Sequence, residues 1–172
     1  MKDNNCMAAL AGKLTIEEFQ SKYGRLERSY EYWYGEAVPK AMPTWIHGLL
    51  QGIIIKLLMD EGFKAGPEVE LRIDPDAYPK PDVIATKGKV EIPYPTKAVE
   101  VVVEVLSKDD PMPYVMQKCR AYQTWGFAFI YVVDPESRVV YQWTGQALAM
   151  TDTLTSIPTM RIWAELDKAL ET

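Results

Sequence analysis

Residues 97–107, KAVEVVVEVLS, form a nearly continuous run of β-branched apolar residues, the pattern of a strand covered on both faces. Next comes DDPMPYVMQKCRAYQTWG, a helical pattern opened by prolines and closed by Gly126, and then FAFIYVVD, a second apolar strand. Strand, helix and strand over residues 99–133 make a crossover unit, whose two strands are expected to be parallel. A strand buried on both sides needs layers above and below it. The chain is therefore expected to fold as an α/β domain on a mixed sheet flanked by helices.

The remaining segments fit that frame. Thr15 and Glu18 have capping-box spacing and Gly24 supplies a stop, giving a short helix near residues 15–23. SYEYWYGEAVPKAM reads as an aromatic hairpin around Gly35, with Pro39 suited to an edge strand. TWIHGLLQGIIIKLLMDEGF carries Ile46, Leu49, Leu50, Ile53, Ile54, Leu57 and Leu58 at helical spacing behind a Thr44 cap, and Gly62 ends it. PEVELRID and KPDVIATKG are expected to be strands joined by the turn PDAYP. RVVYQW is a further strand beyond the turn PES, and a last helix starts near Pro158. There is no internal repeat and no linker, so residues 14–172 should form one domain after a flexible leader, 1–13.

Hydrophobic residues at 48% against 25% charged residues place the chain among globular proteins, not disordered ones. Its net charge of −5 gives no general attraction for polyanions, so nucleic acid would have to be met by a local basic strip or a bound metal. Cys6 and Cys119 have neither CxxC spacing nor the density of a disulfide scaffold, which fits a reducing cytoplasm. No window approaches the roughly 18 apolar residues of a membrane helix, so the expected protein is cytoplasmic with no membrane partner. Zinc clusters, phosphate-binding glycine loops and the GxSxG elbow are all missing from the sequence.

Within the central strand, alternation sets Glu104 with Val102, Glu100 and Leu106 on one face and Val101, Val103 and Val105 on the other. A carboxylate at that depth costs several kcal/mol unless it is paired, protonated or bound to a cation. If the strand after Pro81 neighbours this one, Asp82 approaches Glu104, and two close carboxylates call for a proton or a metal between them. Mg²⁺ suits such a pair, since it takes one or two carboxylates plus waters and keeps positions for phosphate oxygens. Tyr114, Lys118, Tyr122 and Trp125 share one face of the crossover helix, which makes Lys118 the candidate for orienting water or offsetting phosphate charge. His47 and Gln51, one turn apart, are candidate phosphate contacts.

Pro81-Asp82, VVVEVLS with Glu104, and Lys118 and Tyr122 ahead of WGFAFIYVVDPESRVV together resemble the Uma family of bacterial restriction-endonuclease-type proteins. LTIEEF, the hairpin YEYWYGE and His47 extend the resemblance from about Leu14 to Trp143. It implies the PD, D/ExK nuclease fold, Mg²⁺ or Mn²⁺ as cofactor, and DNA as substrate. It also implies Asp82 and Glu104 as metal ligands, the Val105 carbonyl as a third, and weaker nucleic-acid roles for Tyr122 and Glu36. The wider pattern sets its lysine two residues after the acid, where this chain has Leu106; Lys118 is the matching helix position. A homodimer is expected, because cutting two strands usually needs two sites and FAFIYVV and the hairpin look like apolar edges.

Structural roles stand beside these. Asp82 can serve as a strand-entry residue, Glu104 as a buried ion pair to Lys118 or Arg120, Lys118 as a solvated helix lysine, and Glu36 as a hairpin-tip charge. The fold would then be a catalytically inactive binding or assembly module.

Overall fold

The computed structural model describes residues 13–24 and 29–171. Apart from Lys13, the expected leader lies outside them, as does Cys6.

Helix α1 (Ile16–Tyr23) starts at the anticipated capping box: the Thr15 hydroxyl accepts from the Glu18 N–H, and the Glu18 carboxylate accepts from the Thr15 N–H. Strands β1 (Tyr30–Trp33) and β2 (Glu36–Pro39) are the aromatic hairpin, turned at Tyr34 and Gly35, where Gly35 takes φ 93°. Helix α2 (Trp45–Asp60) is capped by the Thr44 hydroxyl. There follow β3 (Lys64–Pro67), β4 (Ala77–Tyr78), β5 (Val83–Thr86) and β6 (Val101–Val105). Helix α3 (Met112–Trp125) ends on Gly126 in the left-handed conformation. The chain closes with β7 (Phe129–Asp134), β8 (Val139–Trp143), β9 (Leu148–Thr151), β10 (Thr153–Leu154), β11 (Ile157–Pro158) and helix α4 (Thr159–Leu170).

The main sheet has the order β3-β5-β6-β7-β8-β9, and among the described residues its one parallel pair is β6 with β7, the crossover anticipated from the apolar runs. Period-two alternation divides β5 and β6 between two cores. Val83, Val101, Val103 and Val105 pack with Leu50, Ile54 and Leu57 of α2 and Ile162 of α4. Ile84, Val102 and Val132 pack with Val115, Cys119 and Tyr122 of α3. The fold is thus a single α/β domain with a mixed central sheet flanked by helices.

Two expectations are corrected. PEVELRID is not a strand. The sheet residues are Lys64–Pro67, and the chain turns away at Glu68, whose φ is 54°. The alternation still has a cause: Leu71 is fully buried in the α3-side core while its N–H bonds the Pro79 carbonyl, outside any ladder. FAFIYVV is not an edge either, because β7 lies between β6 and β8. The real edges are β3 and β9; β9 escaped notice because LAMT is short and lacks β-branched apolar residues and period-two alternation, with Ala149 and Met150 both exposed.

The register of β5 on β6 builds the site. Val83 pairs with Val103, and continuing one residue outward sets Asp82 opposite Glu104 at the end of the sheet where α2 and α3 both begin. The shorter hairpin sheet, β2-β1-β4, lies across that end, with Glu31 on β1 lining the same cleft.

Candidate metal-binding and hydrolytic cleft

A cleft of about 670 Å³ opens there. Its wall brings together Glu31, Lys40, His47, Asp82, Glu104 and Lys118, and Glu68 and Val105 also line it. Asp82 is buried and doubly committed. One carboxylate oxygen, Oδ2, accepts from the Val105 N–H at 2.7 Å, which ties it to the end of β6. The other, Oδ1, faces Lys40 Nζ at 3.1 Å, His47 Nε2 at 3.4 Å and Gln51 Nε2 at 3.5 Å.

Glu104 looks toward α3. Its Oε1 meets Lys118 Nζ at 2.8 Å and accepts from the Tyr122 hydroxyl. Lys118 Nζ also lies 3.3 Å from Oε1 of Glu31. Glu31 is almost fully buried, and its carboxylate takes three further donors: the Tyr114 hydroxyl at 2.6 Å, the Lys80 N–H at 2.6 Å and Trp33 Nε1 at 3.2 Å. The face Tyr114-Lys118-Tyr122-Trp125 read from the sequence is therefore a row of donors and one ring aimed at the two acids, with Trp125 stacked on Trp33.

Burial and charge set the protonation of this group. Burial raises the Glu104 carboxyl; Lys118 opposes that, while Asp82 and Glu31 add repulsion, and it comes to rest at about 7. Burial likewise disfavours the Lys118 ammonium, but Glu104 and Glu31 outweigh it and hold the lysine charged well above its ordinary range. Glu31 is also opposed by burial, yet the Lys118 and Lys40 charges and the Tyr114 hydroxyl keep it below the usual glutamate value. Asp82 sits well below the aspartate range: burial would raise it, but the His47 hydrogen bond and the Lys40 charge prevail. One ammonium thus serves two carboxylates, and Glu104 is the one left near half protonation at neutral pH.

A measurable consequence follows. In metal-free protein, a protonated-carboxyl infrared band should titrate with a midpoint of about 7 and vanish in Glu104→Gln. The folded chain holds this proton more tightly than the unfolded one, so Glu104 lowers stability as pH rises from the ordinary 4.5 through about 7. A band titrating at the ordinary carboxylate value would mean that Lys118 overcomes burial.

The sequence-derived candidates fall into three groups. Asp82, Glu104, Val105, Lys118 and His47 line one cleft. Gln51 and Tyr122 support it from behind: Gln51 Nε2 bonds the Asp82 carbonyl at 3.2 Å and Glu68 Oε1 at 3.1 Å, and fully buried Tyr122 holds Glu104. Glu36 is exposed on β2 and does not line the cleft; the hairpin's acid there is Glu31. Glu100 is turned to Thr86 and Lys87 at the other end of β6.

Glu31, Lys40 and Glu68 are the residues sequence reading passed over. Glu31 alternates with aromatic neighbours in a hairpin whose buried side could not be known, and Glu68 looked like the polar half of a strand. Among the described residues, His47, Glu68 and Asp82 form one group able to hold a metal ion, with ligand atoms all within 4.8 Å of one another. The donor set fits a divalent cation, two carboxylates with one imidazole, and the buried Nδ1 of His47 has no hydrogen-bond partner among the described residues. Asp82 is common to this group and to the expected set with Glu104 and Val105.

A mixed sheet flanked by helices, with acids at the ends of two paired strands and a lysine on the crossover helix, defines a restriction-endonuclease-type domain. The chain belongs to the Uma2 family: the model of that family, described as "Putative restriction endonuclease", matches residues 16–159. Among solved structures, the chain is similar to a crystal structure of "a putative nuclease" from Anabaena variabilis, with a TM-score of 0.70 and 17% identity. That likeness covers 89% of this chain and 99% of the other, and it shows a shared fold. No functionally curated protein matches the chain.

Proposed function

We propose that this chain is a divalent-metal-dependent endonuclease that hydrolyses DNA phosphodiester bonds. The observation that supports this most is the meeting of Asp82, Glu104 and Lys118 in one cleft, with His47 and Glu68 beside Asp82. Asp82 is the anchor for Mg²⁺ or Mn²⁺, with Glu68 and His47 on its α2 side and Glu104 and the Val105 carbonyl on its β6 side. When bound, such an ion makes a water acidic enough to attack phosphorus and offsets charge on the phosphoryl oxygens.

The residues of the chain do the rest. Glu104, oriented by Lys118 and Tyr122, would join Asp82 in holding the ion in its ionised form. Lys118, kept charged by Glu104 and Glu31, offsets phosphate charge without moving far. Tyr122 and Tyr114 hold the two acids in place. Since the net charge is −5, attraction for DNA comes from the metal-loaded cleft rather than from the surface as a whole. A double-strand cut needs two such centres, and a homodimer supplies them.

Purified protein should nick supercoiled plasmid in Mg²⁺ or Mn²⁺ and not in EDTA, and Glu104→Gln should slow nicking about a hundredfold, the scale for removing one preorganised group. Metal binding without cleavage of double- or single-stranded DNA would overturn this reading in favour of a binding or assembly module.

A further inference from the structure

The ammonium of Lys40 lies within the acidic pocket, not on its rim. Its Nζ is 2.7 Å from Glu68 Oε2, 2.7 Å from the Lys80 carbonyl and 3.1 Å from Asp82 Oδ1, and the side chain is 14% exposed. Two of these acceptors are the carboxylates that form the candidate ligand group with His47. Three oxygens converging on one positive centre are also what a hard divalent cation gathers, at shorter range. His47 turns its Nε2 to the same Asp82 oxygen, at 3.4 Å, so the imidazole stands beside the ammonium at that position.

Resting on the metal-dependent reading above, we infer that Lys40 is a built-in counter-ion occupying the cation position, and that a divalent ion loads by displacing it. Charge explains the exchange. Glu68 and Asp82 carry two negative charges, which an ammonium half neutralises and a divalent ion neutralises fully. Both cations together would crowd three positive charges against two carboxylates. The movement required is small, because the Lys40 N–H is fixed to the Ser29 carbonyl at 2.9 Å and only the four-carbon stem must swing. Lys40 thereby sets the metal concentration at which the site fills, and without metal it keeps the buried Asp82 carboxylate paired.

Calorimetric titration with Mn²⁺ alone, no DNA present, tests this. Lys40→Met should bind Mn²⁺ at least tenfold more tightly than wild type, and its melting temperature should rise more on adding Mn²⁺. Lys108→Met removes the same charge from an exposed position on the cleft wall, and should change affinity by less than threefold. Equal affinities for Lys40→Met and wild type, or equal gains in both variants, would overturn the exchange while leaving metal-dependent cleavage standing. Should Lys40→Met fail to fold, amine-reactive labelling of wild type read by mass spectrometry decides: saturating Mg²⁺ should expose Lys40 to acetylation severalfold, and unchanged labelling would sink the idea. No Mn²⁺ binding to any of the three proteins would overturn both this inference and the metal-dependent reading.

Discussion

Asp82→Asn is expected to abolish Mn²⁺ binding and to lower DNA cleavage about a thousandfold, the upper range for losing one charge-stabilising group. The substitution keeps volume and shape, so the loss is chemical. Asp82 Oδ2 is occupied by the Val105 N–H and Oδ1 faces three nitrogen groups, on Lys40, His47 and Gln51. An asparagine can present its oxygen to only one of these sides. If it satisfies Val105, its amide N–H₂ is turned toward donors, and the group loses its buried anion, keeping only the Glu68 carboxylate beside His47.

Stability should change with a particular pH dependence. The folded state depresses the Asp82 carboxyl below its ordinary 3.8, so its ionised form stabilises the fold above that pH and the contribution is lost as pH falls through the folded value. Asp82→Asn should therefore be less stable than wild type at pH 7 in urea titrations, and the gap should narrow in acid. Cleavage within tenfold of wild type would remove Asp82 from the chemistry.

How much of this was legible beforehand depended on the kind of signal. The crossover was plain because the β6 and β7 strands are buried on both faces and must be apolar throughout, and a lone glutamate in such a run is costly enough to need a reason. Asp82 and Glu104 could be paired because antiparallel register converts sequence positions into neighbours once two strands are assumed adjacent. No such rule reached Glu31, Lys40 or Glu68. Each belongs to a segment docked from a distance, the hairpin and the irregular chain after β3, and its polarity resembles that of any solvated turn. PEVELRID misled for a related reason: burial of Leu71 produces alternation whether or not the backbone pairs. Lys118 was found by helix spacing, but its two acidic partners lie 14 and 87 positions away and only one of them was in view.

That shared partnership makes Lys118→Met the substitution with the largest expected effect on stability. Glu31, Glu104 and Lys118 are all buried, and the ammonium is the main favourable charge for both acids. Removing one member of a buried ionic group leaves the others uncompensated and costs about 3–5 kcal/mol. The chain has one way to limit the damage. Glu31 keeps its hydrogen bonds from Tyr114, Trp33 and the Lys80 N–H, whereas Glu104 keeps, among the described residues, that from Tyr122 and already titrates at about 7. Without Lys118, the largest influence opposing burial is gone, so Glu104 should take up a proton at neutral pH. A carboxyl whose folded value is raised binds its proton more strongly in the native state, and stability then falls as pH rises. The deficit of Lys118→Met in urea titrations should accordingly be smaller at pH 6 than at pH 8.5. Adding Glu104→Gln to Lys118→Met should recover half or more of the loss at pH 8.5, because the amide needs no counter-ion, while cleavage stays absent. A deficit under about 1 kcal/mol at both pH values, the scale of an exposed ion pair, would mean that Lys118 does not bridge the two acids in solution.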